Sequence, residues 1–163
     1  MPLIKELRQR VADLAASVLP GVEILSEQIE IVSFISKGGK FLNSTGRAAF
    51  GYVEHVEGPE LEAEQRGRYV TSHQVTLHLF LQSRNELDHA ASLSELEDKV
   101  EAVRGAFRGE TDVFGDVESM QESPRTLSML GGVRMMVLDS PHGKFFWHAA
   151  LGATVESVRH QVF

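Results

Sequence analysis

Residues 69–82 read YVTSHQVTLHLFLQ and alternate apolar and polar positions over most of their length. Successive side chains of a strand point to opposite faces, so this alternation predicts a long strand with one aliphatic face. The aliphatic face is formed by Val75, Leu77, Leu79 and Leu81, and the other face by Thr76, His78, Phe80 and Gln82. We therefore expect a sheet built around this strand.

The segment after this strand has the pattern of an amphipathic helix. Its apolar residues recur at three- and four-residue spacing, which places them on one helix face: Leu93, Leu96, Val100, Val103 and Phe107. Ser92, with Glu95 three residues later, has the form of a capping box and predicts that the helix begins there. Gly109 is expected to end it.

A second helix is predicted at the beginning of the chain. Its stripe comprises Leu3, Leu7, Val11, Leu14 and Val18. Pro20-Gly21 ends it, because proline cannot continue the hydrogen-bond ladder and glycine accepts the turn.

Further strands are expected at Val22–Leu25, Gln28–Ser36, Arg47–Val56 and Phe145–Val155. Gly131-Gly132 separates Leu127–Leu130 from Val133–Leu138, which indicates either a tight hairpin or a kink within one strand. Lys37-Gly38-Gly39-Lys40 is interpreted as a hairpin turn, because Phe41 follows where a phosphate loop needs Ser or Thr. The order predicts a single α+β domain over residues 1–163, a mostly antiparallel sheet with two helices packed on one face.

Composition excludes several classes of function. The 163 residues include no cysteine, so neither a disulfide framework nor a thiolate metal site is possible. The net charge of −7 argues against general affinity for nucleic acid, which depends on Lys and Arg. We expect no sequence-specific nucleic-acid partner. Apolar runs are far shorter than the roughly 20 residues that span a bilayer, and charges at Lys5 and Glu6 argue against a signal peptide. We expect a cytoplasmic protein without a membrane partner.

The histidines do not form a recognisable metal or catalytic motif. His73 and His78 are five residues apart on a predicted strand and should point to opposite faces. His142 falls in a predicted turn and His148 in a strand, and no serine lies in a Gly-x-Ser-x-Gly elbow. The sequence predicts a structural protein without catalytic, cofactor or metal residues. The alternative is a small enzyme or ligand-binding module whose site is assembled from His73, His78 and His148.

Two segments are candidate assembly surfaces. The first is the acidic stretch Glu57–Arg68, which contains Gly58-Pro59 and is expected to be an exposed excursion or a long hairpin end. Its candidate residues are Glu57, Glu60, Glu62 and Glu64. The second is Phe145-Phe146-Trp147, in which Phe145 and Trp147 share a strand face and Phe146 takes the other. A strand that is apolar on both faces needs a second cover, which a partner subunit would supply.

The order of elements resembles a known family. An N-terminal helix ends in Pro20-Gly21, Val22-Glu23-Ile24-Leu25 and long strands follow, and a helix ending in Val103–Gly109 precedes a hairpin and a final strand. This layout is similar to the small tail-terminator, or tail-completion, proteins of long-tailed phages and Mu-like prophages. The resemblance implies a non-enzymatic α+β subunit without a cofactor that closes into a homo-oligomeric ring, commonly of six. Such a ring caps the tail tube protein, joins the head connector protein, and is assembled in the cytoplasm before it resides in the virion tail. The alternative in the same setting is another neck or tail-tube subunit.

Overall fold

A mixed, mostly antiparallel sheet with two helices forms the part of the chain described by the computed structural model, residues 3–27, 45–62, 67–109, 128–138 and 144–160. The α+β class is therefore confirmed. The expected strand Gln28–Ser36 and the turn Lys37–Lys40 lie outside the described residues. The elements are α1 (Leu3–Val18), β1 (Glu23–Leu25), β2 (Ala49–Glu62), β3 (Arg68–Ser83), α2 (His89–Gly109), β4 (Ser128–Met129), β5 (Arg134–Leu138) and β6 (Lys144–His160).

Three long antiparallel strands dominate the sheet. Its order is β1-β2-β3-β6, and both β4 and β5 pair with the far side of β6. β3 is central and pairs with β6 without interruption from Arg68↔His160 to Ser83↔Phe145. β1 runs parallel to β2, with Ile24 opposite Gly51. Glycine is required at position 51, because a Cβ there would approach the carbonyl oxygen of His78 to 2.7 Å.

Both helices pack on the same face of the sheet, as the sequence predicts. α1 contributes Leu7, Val11 and Ala15 to this core, and α2 contributes its predicted stripe through Leu96, Val100, Val103 and Phe107. The sheet side of the core is the predicted aliphatic face of β3, Val75, Leu77, Leu79 and Leu81, with Ala149, Leu151, Ala153 and Val155 of β6. Burial of each of the larger side chains is favourable by roughly 1.5–3 kcal/mol. This burial stabilises the two-layer arrangement.

The opposite face of the sheet carries a separate aromatic cluster. Phe50, Tyr52, Phe80 and Phe146 are all buried there. Phe50 stacks on Phe80 with ring centroids 5.0 Å apart and meets Phe146 edge-on at 5.9 Å. The predictions that Phe80 lies opposite the aliphatic face of β3, and Phe146 opposite Phe145 and Trp147, are confirmed.

The predicted capping box at Ser92 is wrong. α2 begins at His89, preceded by a single helical turn at Glu86–Asp88, so Ser92 lies inside the first turn of the helix. Asn85 caps the preceding turn instead, because its side-chain oxygen accepts a hydrogen bond from the Asp88 backbone N–H at 3.1 Å. The predicted end of the helix at Gly109 is confirmed.

An ion-pair network fixes the beginning of β2 to the beginning of α2. The Arg47 guanidinium donates to both carboxylate oxygens of Asp88, at 2.6 and 3.0 Å, and to Glu95 at 3.3 Å. The side chains of Arg47 and Asp88 are only 12% and 15% exposed. The hydrogen bond from Arg47, followed by that from the Arg84 backbone N–H, holds the pKa of Asp88 well below its usual range.

The hairpin alternative at Gly131-Gly132 is wrong, and the kink alternative is confirmed. β4 and β5 both run antiparallel to β6, so they run in the same direction and form one interrupted strand. Met129 lies opposite Leu151 and Arg134 opposite His148, so four residues face the two residues Ala149 and Ala150. Gly131 adopts a φ of +79°, a conformation that glycine allows without strain.

Candidate functional site

The three long strands continue past most of the core beneath the helices. The aliphatic core ends at Val53 in β2, Val75 in β3 and Val155 in β6, whereas β2 extends to Glu62, β3 begins at Arg68 and β6 extends to His160. We call the extension, formed by Val56–Glu62, Arg68–Gln74 and Thr154–His160, the distal ribbon. At about 3.3 Å per residue it is roughly 23 Å long. The Glu57–Arg68 stretch is therefore the end of a long hairpin, the second of the two alternatives for this segment.

A β-bulge in β2 determines which face of the distal ribbon the later side chains of this strand occupy. Glu57 pairs with His73 and Glu60 with Thr71, so Gly58 and Pro59 together oppose the single residue Ser72. Because strand side chains alternate with a period of two, one extra residue moves all later side chains to the other face. Position 58 has little room for a side chain, because a Cβ would lie 3.1 Å from the Ser72 carbonyl oxygen.

As a result of the bulge, β2 has one acidic and one aliphatic face within the distal ribbon. On the same side as the aliphatic face, β3 and β6 carry exposed polar residues, including the pair Ser72 and Glu156. Glu60 and Glu62 join Glu57 on the face that carries the helices, and all three are exposed. Leu61 joins Val56 on the opposite face, where their exposed fractions are 64% and 53%. Sequence reasoning identified the glutamates but not Val56 and Leu61, because their shared face depends on the bulge. Glu64 lies outside the described residues.

Phe145 and Trp147 lie at the other end of the sheet from the distal ribbon. Both are half-buried and share one strand face, as predicted, and this is the face that carries the helices. His89 of α2 meets their rings edge-on at centroid distances of 5.4 and 6.1 Å. The structure therefore does not bring the two predicted assembly segments together, and these two aromatic side chains contact α2 of their own chain.

Four of the seven histidines form two pairs, one on each face of β3. On the helix-bearing face, Nε2 of His55 and Nδ1 of His73 lie 2.8 Å apart. On the opposite face, Nδ1 of His78 and Nε2 of His148 also lie 2.8 Å apart. His73 and His78 do take opposite faces, as the sequence predicts. Each pair joins diagonal neighbours on adjacent strands, so only the strand register could have revealed it.

Burial keeps these imidazoles uncharged at neutral pH. It lowers the pKa of His148 to about 4, and His78 and Arg134 act in the same direction. Burial also lowers the pKa of His78, whereas the Glu54 carboxylate opposes that effect. The pKa of His55 and of His73 is lowered mainly by burial as well.

Aromatic rings and one carboxylate surround the His78–His148 pair. Tyr52 stacks on His78 at a centroid distance of 4.7 Å, and Phe80 stacks on His148 at 4.6 Å. Glu54 Oε1 lies 3.8 Å from Nε2 of His78, a buried atom without a hydrogen-bond partner. Within the described ranges, no group of three or more His, Asp or Glu side chains is arranged to hold a metal ion.

No protein-family model matches this chain, and no curated protein matches it. In the described part of the chain, neither helix is long and apolar enough to cross a membrane.

Proposed function

We propose that this protein is a structural subunit of a phage or prophage tail, which closes into a ring, terminates the tail tube and joins it to the head. The observation that carries the proposal is the distal ribbon, in which β2 exposes Val56 and Leu61 on one face and glutamates on the other. The resemblance in element order to tail-terminator proteins supports the same function.

The distal ribbon has the features of an assembly arm. Leu61 and Val56 are large aliphatic side chains exposed on one face of β2 in the distal ribbon. Burial of such side chains in a subunit contact is favourable by about 25 cal/mol per Å² of apolar surface. A heterologous contact between the ribbon of one subunit and a different surface of the next would generate a ring when the rotation closes.

The charge of the subunit fits the same function. A net charge of −7 repeated around a ring produces an acidic collar. Such a collar repels the phosphates of a passing genome, so DNA would move through the ring without binding to it. The exposed Glu57, Glu60 and Glu62 contribute to this collar from the distal ribbon.

The experiment that tests this function is deletion of the gene in a producing prophage, followed by electron microscopy of the particles. Overlong or headless tails are expected, because an uncapped tube continues to polymerise and does not join a head. Virions with tails of normal length would exclude the function. Expression of the intact gene in trans is the control that should restore normal tails.

A further inference from the structure

Glu54, His78 and His148 form a row across three strands of the sheet. Glu54 belongs to β2, His78 to β3 and His148 to β6. Glu54 Oε1 and His78 Nε2 are separated by 3.8 Å, and His78 Nδ1 and His148 Nε2 by 2.8 Å. The first distance is too long for a hydrogen bond, but a small rotation of a side chain that is 34% exposed would close it.

The carboxylate determines which nitrogen atoms carry hydrogen. A carboxylate only accepts hydrogen bonds, so its position beside Nε2 of His78 favours hydrogen on that atom. Nδ1 of His78 then has a lone pair, and it accepts a hydrogen bond from Nε2–H of His148. Nδ1 of His148 is left with a lone pair that can take up a proton.

We propose that Glu54, His78 and His148 form a proton-uptake site, in which one added proton brings the Glu54 carboxylate into contact with His78. The incoming proton binds Nδ1 of His148 and makes that ring a cation. The existing hydrogen bond allows the charge to pass to His78, whose Nε2–H then donates to Glu54. No hydrogen bond is lost in this step, and Nε2 of His78, which has no partner beforehand, gains one.

The surroundings limit the site to one proton. Two imidazolium rings with nitrogen atoms 2.8 Å apart would repel each other strongly. Arg134 of β5 opposes the first proton, and Glu54 of β2 favours it. Tyr52 of β2 is the remaining titratable group in contact with the pair among the described residues, and burial raises its pKa, so it stays neutral.

The consequence is a pH-sensitive connection between β2 and its neighbours. Glu54 is two residues before Val56, where the distal ribbon begins. Protonation in acid therefore ties the base of the ribbon to β3 and β6 by a charged hydrogen bond that is absent at neutral pH. Hydrogen bonds of this charged type are about twice as strong as neutral ones.

NMR of the intact protein tests the site. Long-range proton–nitrogen correlation at neutral pH should show hydrogen on Nε2 of both His78 and His148, with signals assigned through single histidine substitutions. Hydrogen on Nδ1 of His78 would overturn the proposal, and this measurement needs no variant at Glu54.

A pH titration with two matched variants tests the role of the carboxylate. Glu54→Gln should lower the apparent pKa of the His78–His148 pair by about one pH unit, because the favourable charge is removed. Glu57→Gln removes one carboxylate from the same strand but on the other face, so it should affect only the His55–His73 pair. An unchanged titration of His78 and His148 in Glu54→Gln, or an equal shift in both variants, would overturn the proposal.

Discussion

Nε1 of Trp147 donates a hydrogen bond to the hydroxyl oxygen of Ser92, and the two atoms lie 2.9 Å apart. The Ser92 side chain is completely buried, and its own hydroxyl donates to the carbonyl oxygen of Asp88 at 2.7 Å. One serine thereby joins β6 to the first turn of α2. Its role is to connect sheet and helix, not to cap the helix.

Replacement of this serine should cost more than the loss of a surface hydroxyl. In Ser92→Ala, the indole N–H of Trp147 loses its acceptor, so we expect a loss of about 2 kcal/mol in the free energy of unfolding. Trp147 is the only tryptophan in the chain, so its fluorescence follows urea unfolding directly. Ser94→Ala, at an exposed position of the same helix, is the control and should change stability by less than about 0.5 kcal/mol. Equal stability of the two variants would contradict this role.

A charge within the helix stripe should unfold the protein. Val100 is 5% exposed and lies in the core between α2 and the sheet. Val100→Asp would bury a carboxylate without a partner, at a cost of several kcal/mol. Ala102→Asp places the same group on the exposed side of the helix and should leave thermal unfolding nearly unchanged. A normal melting curve for Val100→Asp would show that the packed face is assigned wrongly.

The Arg47–Asp88 pair should contribute stability that depends on pH. The folded-state pKa of Asp88 lies below its unfolded value of about 3.9, so the contribution is present above that pH and is lost as the pH falls below it. Asp88→Asn should lower the free energy of unfolding by about 1 kcal/mol at pH 7, because charged hydrogen bonds to Arg47 and Arg84 are replaced. Asp98→Asn, on the exposed side of α2, is the matched control. If chemical denaturation shows that both variants are as stable as the parent, the Arg47–Asp88 pair does not contribute to stability.

Acid should destabilise the protein through its buried histidines. The pKa of His148 is about 4 in the folded state, compared with about 6.5 for an unfolded histidine. The unfolded chain therefore binds more protons between these values, and stability should be full above pH 6.5 and decline as the pH falls towards 4. His148→Phe should reduce this decline by up to about 1.4 kcal/mol per pH unit, because one titrating group is removed. An unchanged slope of stability against pH would contradict the assignment.

Much of the fold was predictable because its strongest signals are local. The alternation in β3 identifies the two faces of the central strand, and the stripe of α2 identifies its packed side. Those patterns depend on the spacing of neighbouring residues alone. The beginning of α2 was not predictable in the same way. Ser92 fits the sequence pattern of a cap, but the cap in the structure is Asn85, which precedes the turn Glu86–Asp88.

The candidate site depends on register, which the sequence does not encode locally. His78 and His148 are separated by 70 positions and meet because β3 and β6 pair with Leu79 opposite Ala149. The bulge at Gly58-Pro59 likewise changes which face Leu61 occupies. A Gly-Pro pair in an acidic stretch is equally compatible with a loop, so the two faces of the ribbon could be assigned only from the paired strands.

Charge reversal on the acidic face of the ribbon should affect assembly without affecting the subunit. Glu62 is exposed at the end of β2, so Glu62→Lys should leave the free energy of unfolding within about 0.5 kcal/mol of the parent. When the Glu62→Lys protein is expressed in the prophage that lacks the gene, fewer tails should join heads. Charge reversals at Glu60 and Glu64 should have the same effect. Normal virion yields would exclude an assembly role for this face while leaving the tail-terminator proposal intact.

The aliphatic face provides the sharpest test of self-association, because the chain contains a matched control. Leu61 and Leu87 are both exposed leucines, at 64% and 96%, but they lie at opposite ends of β3. Either residue changed to Glu adds one negative charge without disturbing the core. If the distal ribbon forms the subunit contact, Leu61→Glu should convert the ring to monomers, because a carboxylate buried in the contact would lack a partner. Leu87→Glu should keep the mass of the parent.

Light scattering coupled to gel filtration measures these masses directly. The parent should elute as a closed ring at hundreds of micromolar, and a monomer at that concentration would exclude the ring itself. If Leu61→Glu still forms a ring with the mass of the parent, the subunits meet through another surface. Loss of the ring in both variants would mean that added charge, not the aliphatic face, controls association. The ribbon is the contact only if Leu61→Glu dissociates the ring and Leu87→Glu does not, with both variants unfolding at the same urea concentration as the parent.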